Sequence, residues 1–241
     1  MGTENVQDLL QELELLGSEQ TRKIYRKHGV FGEQYGVQYA DMDRLAKRIK
    51  IDQVLAQALW DSGIHDARIL ATRIADPAQF DAALLHRWAA GLNNYVLCDA
   101  MAGLAAKTAH TQTVMEDWMR SDEEWIGRTG WLMLANQVMD ENSPLTEEAL
   151  EAYLQTIERE IHGRKNRVRD AMNTALIAIG IRSPALHEKA LAAGERIGKV
   201  EVDHGDTACK TPAAVPYIEK SWAHKLAKQE KQRAKKAKQS A

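Results

Sequence analysis

Three arginines and one aspartate fall at what reads as a single address in a repeated helix. The segments HDARILATRIA (65–75), WIGRTGWLMLA (125–135) and NRVRDAMNTAL (166–176) each place an arginine, Arg68, Arg128 or Arg169, ahead of small and apolar residues. A fourth segment, VLCDAMAGLAA (96–106), fits the same register with Asp99 in the arginine position. The four positions are 31, 29 and 41 residues apart, within or near the spacing of helical-repeat arrays. Stacking such repeats would set Arg68, Asp99, Arg128 and Arg169 side by side on one concave face, joined by Arg164, Lys165 and Arg167 from the turn before the last helix. A cationic row of this kind suits a polyanion held chiefly through its phosphates. Asp99 is the exception. In a phosphate-binding groove a carboxylate repels about as much as an arginine attracts, so it calls for a cation, supplied either by the ligand or by a salt bridge to Arg128.

The elements that must carry these residues are helices. Apolar residues recur at helical spacing almost throughout, as in Val6, Leu9, Leu10, Leu13 and Leu16, or Leu150, Tyr153, Leu154, Ile157 and Ile161. The pattern predicts helices near 4–16, 18–28, 38–49, 52–61, 64–75, 77–90, 94–107, 111–120, 122–139, 144–162, 165–180, 184–197 and 212–235. Only Lys199–Asp203 alternates like a short extended piece, and 199–211 reads as a sizeable loop. Four prolines follow an Asp, Ser or Thr (Asp76–Pro77, Ser143–Pro144, Ser183–Pro184, Thr211–Pro212), which predicts an N-cap and a helix start at each. The expected fold is all-α, a solenoid of helix pairs with a basic concave groove. It divides into a repeat domain over 1–198, a loop and helix packed on it over 199–220, and a basic tail over 221–241.

Composition narrows the partners. The net charge of −2 conceals a tail, residues 220–241, with eight Lys/Arg, among them Lys235, Lys236 and Lys238, against the single acid Glu230. That tail is +7 and the remainder −9, so contact with a polyanion must come from local clusters of cations. No apolar run approaches the roughly 20 residues of a membrane span, and the N-terminus is acidic, so a cytoplasmic location without membrane contact is expected. Cys98 and Cys209 lack metal-type spacing and are expected to be reduced thiols.

Other constellations carry less. DHGDTACK (203–210) gathers His204, Asp206, Cys209 and Lys210, but its spacing matches no zinc pattern, and a structured loop is the expectation, with no metal and no cofactor. His65, His86, His110 and His162 stand singly and are placed at helix ends or surfaces. Trp60, Trp88, Trp118 and Trp131 are assigned to inter-helix packing. Trp125, one turn before Arg128, is the tryptophan whose position suits contact with DNA.

Over most of residues 5–198 the chain resembles the DNA alkylation repair family, the HEAT-like repeat alkylpurine DNA glycosylases. The resemblance rests on NNYVLCDAM (93–101) and EWIGRTGWLML (124–134). In that family an aromatic residue, an Asp four positions later and an Arg in the next repeat form the lesion-recognition site, which here falls on Tyr95, Asp99 and Arg128. The resemblance implies a hydrolase that excises N3- or N7-alkylated purines from double-stranded DNA. Asp99 would stabilise the sugar cation, Arg128 would hold the backbone, and the base would be released while still stacked. It also marks departures: Tyr95 replaces the usual Trp, and Asn173 and Thr174 stand about where a second aromatic falls. The block at 199–220 is an addition. The alternatives are a non-catalytic relative that recognises DNA structure and a HEAT-type scaffold for a protein partner. A monomer is expected.

Overall fold

The computed structural model describes residues 5–239. Among them lie thirteen α-helices and no strand. In order these are α1 (Val6–Leu16), α2 (Glu19–Lys27), α3 (Tyr39–Ile49), α4 (Gln53–Asp61), α5 (His65–Ile74), α6 (Ala82–Ala89), α7 (Tyr95–Ala105), α8 (Thr111–Arg120), α9 (Glu124–Met139), α10 (Glu147–Glu160), α11 (Asn166–Gly180), α12 (Pro184–Ile197) and α13 (Ala214–Gln239). Each lies within a few residues of the span read from the apolar spacing. The start expected at residue 4 lies outside the described residues, as do the side chains of Lys235, Lys236 and Lys238. The segment Lys199–Asp203 forms no strand and belongs to the loop between α12 and α13.

Prolines proved a weaker guide to helix starts than side-chain caps. Only Ser183–Pro184 opens an α-helix where expected, with the Ser183 side chain accepting from the Leu186 N–H. Asp76–Pro77 opens a single 3-10 turn, and α6 begins after Asp81, whose carboxylate accepts from the Leu84 N–H. Thr146, beyond Ser143–Pro144, caps α10, and α13 begins two residues after Pro212. The reason is general: a proline is tolerated in a first turn of any kind, whereas a capping oxygen meets an actual unpaired N–H.

The chain forms two compact units, residues up to 133 with 203–209, and 134–202 with 210 onward. In the first unit α4 and α5 form a hairpin across a three-residue turn, and α5 also packs on α3 and α7. Tryptophans on successive first helices of the pairs, Trp60 on α4, Trp88 on α6 and Trp118 on α8, are all buried. Trp60 and Trp88 stack at 4.2 Å, and the Trp118 indole donates to His86 Nδ1 at 3.1 Å. This buried ladder is the framework that fixes one helix pair against the next.

The second unit is built from α10 to α13 around Leu150, Leu154, Ile157, Met172, Leu176 and Ile218. The expected tail boundary at 220/221 falls inside α13, because that helix still packs beyond it. Trp222 stacks on His187 at 4.7 Å, and Lys225 donates to the carbonyls of Ile181 (2.6 Å) and Arg182 (2.8 Å) just past the end of α11. From Leu226 to Arg233 the side chains are exposed. No described helix is long and apolar enough to cross a membrane.

Candidate functional site

Tyr95, Asp99 and Arg128 come together within the first unit. The side chain of Asn94, itself buried, accepts from the Leu97 N–H at 3.0 Å and so starts α7 at Tyr95. From that start Asp99 follows Tyr95 by one turn on the same face. On α9 the close approach to α8 is set by Gly130, where a Cβ would lie 2.4 Å from the Met119 amide nitrogen. Arg128, two residues earlier, therefore points to the other side of α9. There its guanidinium donates to Asp99 Oδ1 at 2.9 Å and lies 5.6 Å from the Tyr95 ring centroid. The Arg128 side chain is only 6% exposed while that of Asp99 is 53% exposed. The pair thus consists of a buried cation beneath a carboxylate open to solvent.

The other residues expected at the site are placed differently. Arg68 is half-buried and committed to structure: it donates to the carbonyls of Trp60 (3.1 Å) and Gly91 (3.0 Å), and its guanidinium sits 5.3 Å from the Trp60 ring. Burial lowers its pKa from the ordinary arginine value. Trp125 is half-buried, and its carbonyl accepts from the Thr129 hydroxyl at 2.7 Å and the Cys98 thiol at 3.4 Å. Burial pushes the Cys98 thiol up to about 12, which makes it a packing residue rather than a nucleophile. Lys165, Arg167 and Arg169 belong to the second unit, at the start of α11. Lys165 is exposed, Arg167 and Arg169 are half-buried, and Arg169 donates to Asn166 Oδ1 at 3.4 Å. Asn173 is buried and donates to the Pro212 carbonyl at 3.0 Å, so the position compared with a second aromatic anchors the loop before α13 instead.

A cleft of about 690 Å³ opens beside Asp99. Tyr95, Asp99 and Gly103 of α7 and Lys107 just past its end line it, faced by Tyr39 of α3 and Arg73 of α5. His28, just past α2, also lines it and hydrogen-bonds through Nδ1 to the Tyr95 hydroxyl, which supplies the polar partner a tucked-in phenol needs. The Arg73 guanidinium lies 5.2 Å from the Tyr39 ring and pairs with Asp43. Burial raises the Tyr39 pKa, opposed by Arg73 and reinforced by the negative charge of Asp99. Sequence reasoning missed His28, Tyr39, Arg73 and Lys107. Only Lys107 left a signal, standing at four-residue steps from Tyr95, Asp99 and Gly103. The other three reach the cleft through tertiary packing.

The segment that brings His28 here is held by a buried carboxylate. Asp66, fully buried on α5, accepts from the backbone N–H groups of Tyr35 (2.7 Å), Gly36 (3.3 Å) and Val37 (2.7 Å). Its neighbour His65 was assigned to a helix end or surface; it opens α5 but is buried, and burial pulls its pKa down to about 4. Among the described residues no group of His, Cys, Asp and Glu could hold a metal ion.

Comparison with known proteins decides the lineage. The family model described as "DNA alkylation repair enzyme" matches residues 9–218. The chain belongs to the DNA alkylation repair enzyme family. The chain is 30% identical over 216 residues to uncharacterized proteins of Listeria monocytogenes and Listeria innocua, covering 87% of this chain and 94% of each relative. A solved structure at 30% identity superposes with a TM-score of 0.84 over 92% of this chain and 95% of its own. It is described as one of "a new family of proteins related to the HEAT-like repeat DNA glycosylases with affinity for branched DNA structures". The all-α fold of this DNA alkylation repair family member is accordingly the HEAT-like repeat fold of those glycosylases.

Proposed function

We propose that the protein binds DNA and acts on it as an alkylpurine glycosylase, with Asp99 as the catalytic group. The observation that carries this reading is the half-exposed Asp99 carboxylate, set on a cleft beside Tyr95 and oriented from below by the buried Arg128. A purine alkylated at N3 or N7 is already cationic, so it departs without a general acid. The N-glycosidic bond breaks with its electron pair going to the base, and the sugar, left as an oxocarbenium ion, is captured by water. A carboxylate near that sugar lowers the barrier. At about 4 Å and an effective dielectric near 20 the attraction is roughly 4 kcal/mol. Sharing the carboxylate with Arg128 reduces this, and about a hundredfold in rate remains a reasonable magnitude. Arg128 is then a positioning residue for Asp99 and Tyr95. Within this unit phosphate contacts fall to exposed cations such as Lys107.

A second reading, binding to branched DNA without base release, is supported by the described affinity of the structural relative and by Asn173, which is spent on Pro212 rather than offering a ring. Incubating duplex DNA carrying methylated purines with the protein tests the choice. Free methylpurine supports the glycosylase. Its absence, with tighter binding to a four-way junction than to linear duplex, supports the second reading.

A further inference from the structure

Within the first unit, the cleft beside Asp99 has the makings of a nucleotide pocket that neither the row of arginines nor the sugar chemistry requires. Its floor is the face of α7 around Ala100 and Gly103, and a Cβ added at Gly103 would meet nothing within 4 Å. The floor is therefore flat and open. Tyr39, 43% exposed, forms an opposite wall with Arg73 against its ring. The two ends of the floor differ in charge. Asp99, on α7, sits toward one and Lys107, just past the C-terminal end of α7, toward the other. A flat floor, an aromatic wall, an acceptor at one end and an ammonium at the other match a single nucleotide: a planar base to stack, donor N–H groups on the base edge, and a phosphate. The volume of about 690 Å³ leaves room for a base together with its sugar and phosphate.

We infer that this cleft receives one unpaired nucleotide of bound DNA, its base stacked on Tyr39 over the Gly103 floor, with an edge N–H donated to Asp99 and its phosphate on Lys107. The inference rests on the DNA-binding part of the proposed function and is independent of base release. It differs from the excision of a stacked base that the family resemblance implies, because here the nucleotide leaves the helix.

The test compares, by fluorescence anisotropy, affinity for a duplex with a single bulged purine and for the fully paired duplex of the same length. The wild type should prefer the bulged duplex about tenfold, within what one base–aromatic stack contributes. Gly103→Leu fills the floor without a clash at Cβ and replaces a poor helix former, so the variant should fold, as thermal melting will verify. In that variant, and in Tyr39→Ala, the ratio of the two affinities should fall to about one. Equal affinities in the wild type, or a bulge preference that survives both substitutions, would overturn the inference while leaving the DNA-binding reading intact. Failure to bind either duplex would remove both.

Discussion

Replacing Asp99 by Asn keeps the shape of the side chain and an oxygen that accepts the Arg128 N–H, but removes the charge beneath which a guanidinium is buried. A fully buried ion pair broken on one side costs about 3–5 kcal/mol, because the other charge is left uncompensated. Asp99 is 53% exposed and Arg128 only 6%, so water already screens half of the pair and the amide oxygen keeps one hydrogen bond. We therefore expect Asp99→Asn to cost about 1–2 kcal/mol. In a chain of this size that lowers the thermal midpoint by about 3–6 °C. Arg128→Met removes the buried charge itself and leaves a carboxylate that water can solvate. It should cost about 1 kcal/mol, mostly through the lost packing against Tyr95. In the double variant the two costs should fall short of additivity by about 1 kcal/mol, read by urea unfolding as a double-mutant cycle. Additive costs, or an Asn variant as stable as the wild type, would refute the claim that Arg128 holds Asp99 in place.

Three further outcomes follow from the packing. Asp66→Ala strands three backbone N–H groups in the interior and should cost about 3–5 kcal/mol, with amide exchange at Tyr35 and Val37 accelerating before that of the α5 core. His65, whose pKa falls from 6.5 in the unfolded chain to about 4 when buried, is neutral in the fold. Its contribution is therefore complete above about pH 6.5 and fades as the pH drops toward 4, amounting to about 3 kcal/mol across that window. His65→Gln should flatten the acid side of the stability profile, and identical profiles would contradict the assignment. Truncation after Lys220 removes Trp222 and Lys225 and should lower the melting temperature measurably, whereas truncation after Ala227 should leave it unchanged.

What the sequence made legible was local. The spacing of apolar residues located the helices, and the four-residue step from Tyr95 to Asp99 placed both on one face. The register of VLCDAM against WIGRTG anticipated that Arg128 would stand in the repeat following Asp99, and the structure joins the two by a salt bridge. Arg68 shares that register yet turns to the carbonyls of Trp60 and Gly91, because helix address fixes direction and not the groups waiting there. His28, Tyr39 and Arg73 reach the cleft only through the packing of α2 and α3 on α5, which Asp66 secures by gripping a loop some thirty residues earlier in the chain. Trp222 was read as part of a tail because its basic neighbours dominate the composition. The carbonyls at the end of α11 that hold Lys225 have no trace in the sequence around it.

The central claim is that Asp99 serves chemistry at an alkylated nucleotide, and the rate of methylpurine release from methylated duplex DNA by the wild type and by Asp99→Asn measures it most directly. The wild type should release methylpurine and the variant should do so at a rate lower by about a hundredfold or more, with binding to undamaged duplex retained or tightened once the carboxylate charge is gone. Equal rates from the two proteins would show that Asp99 is not the catalytic group.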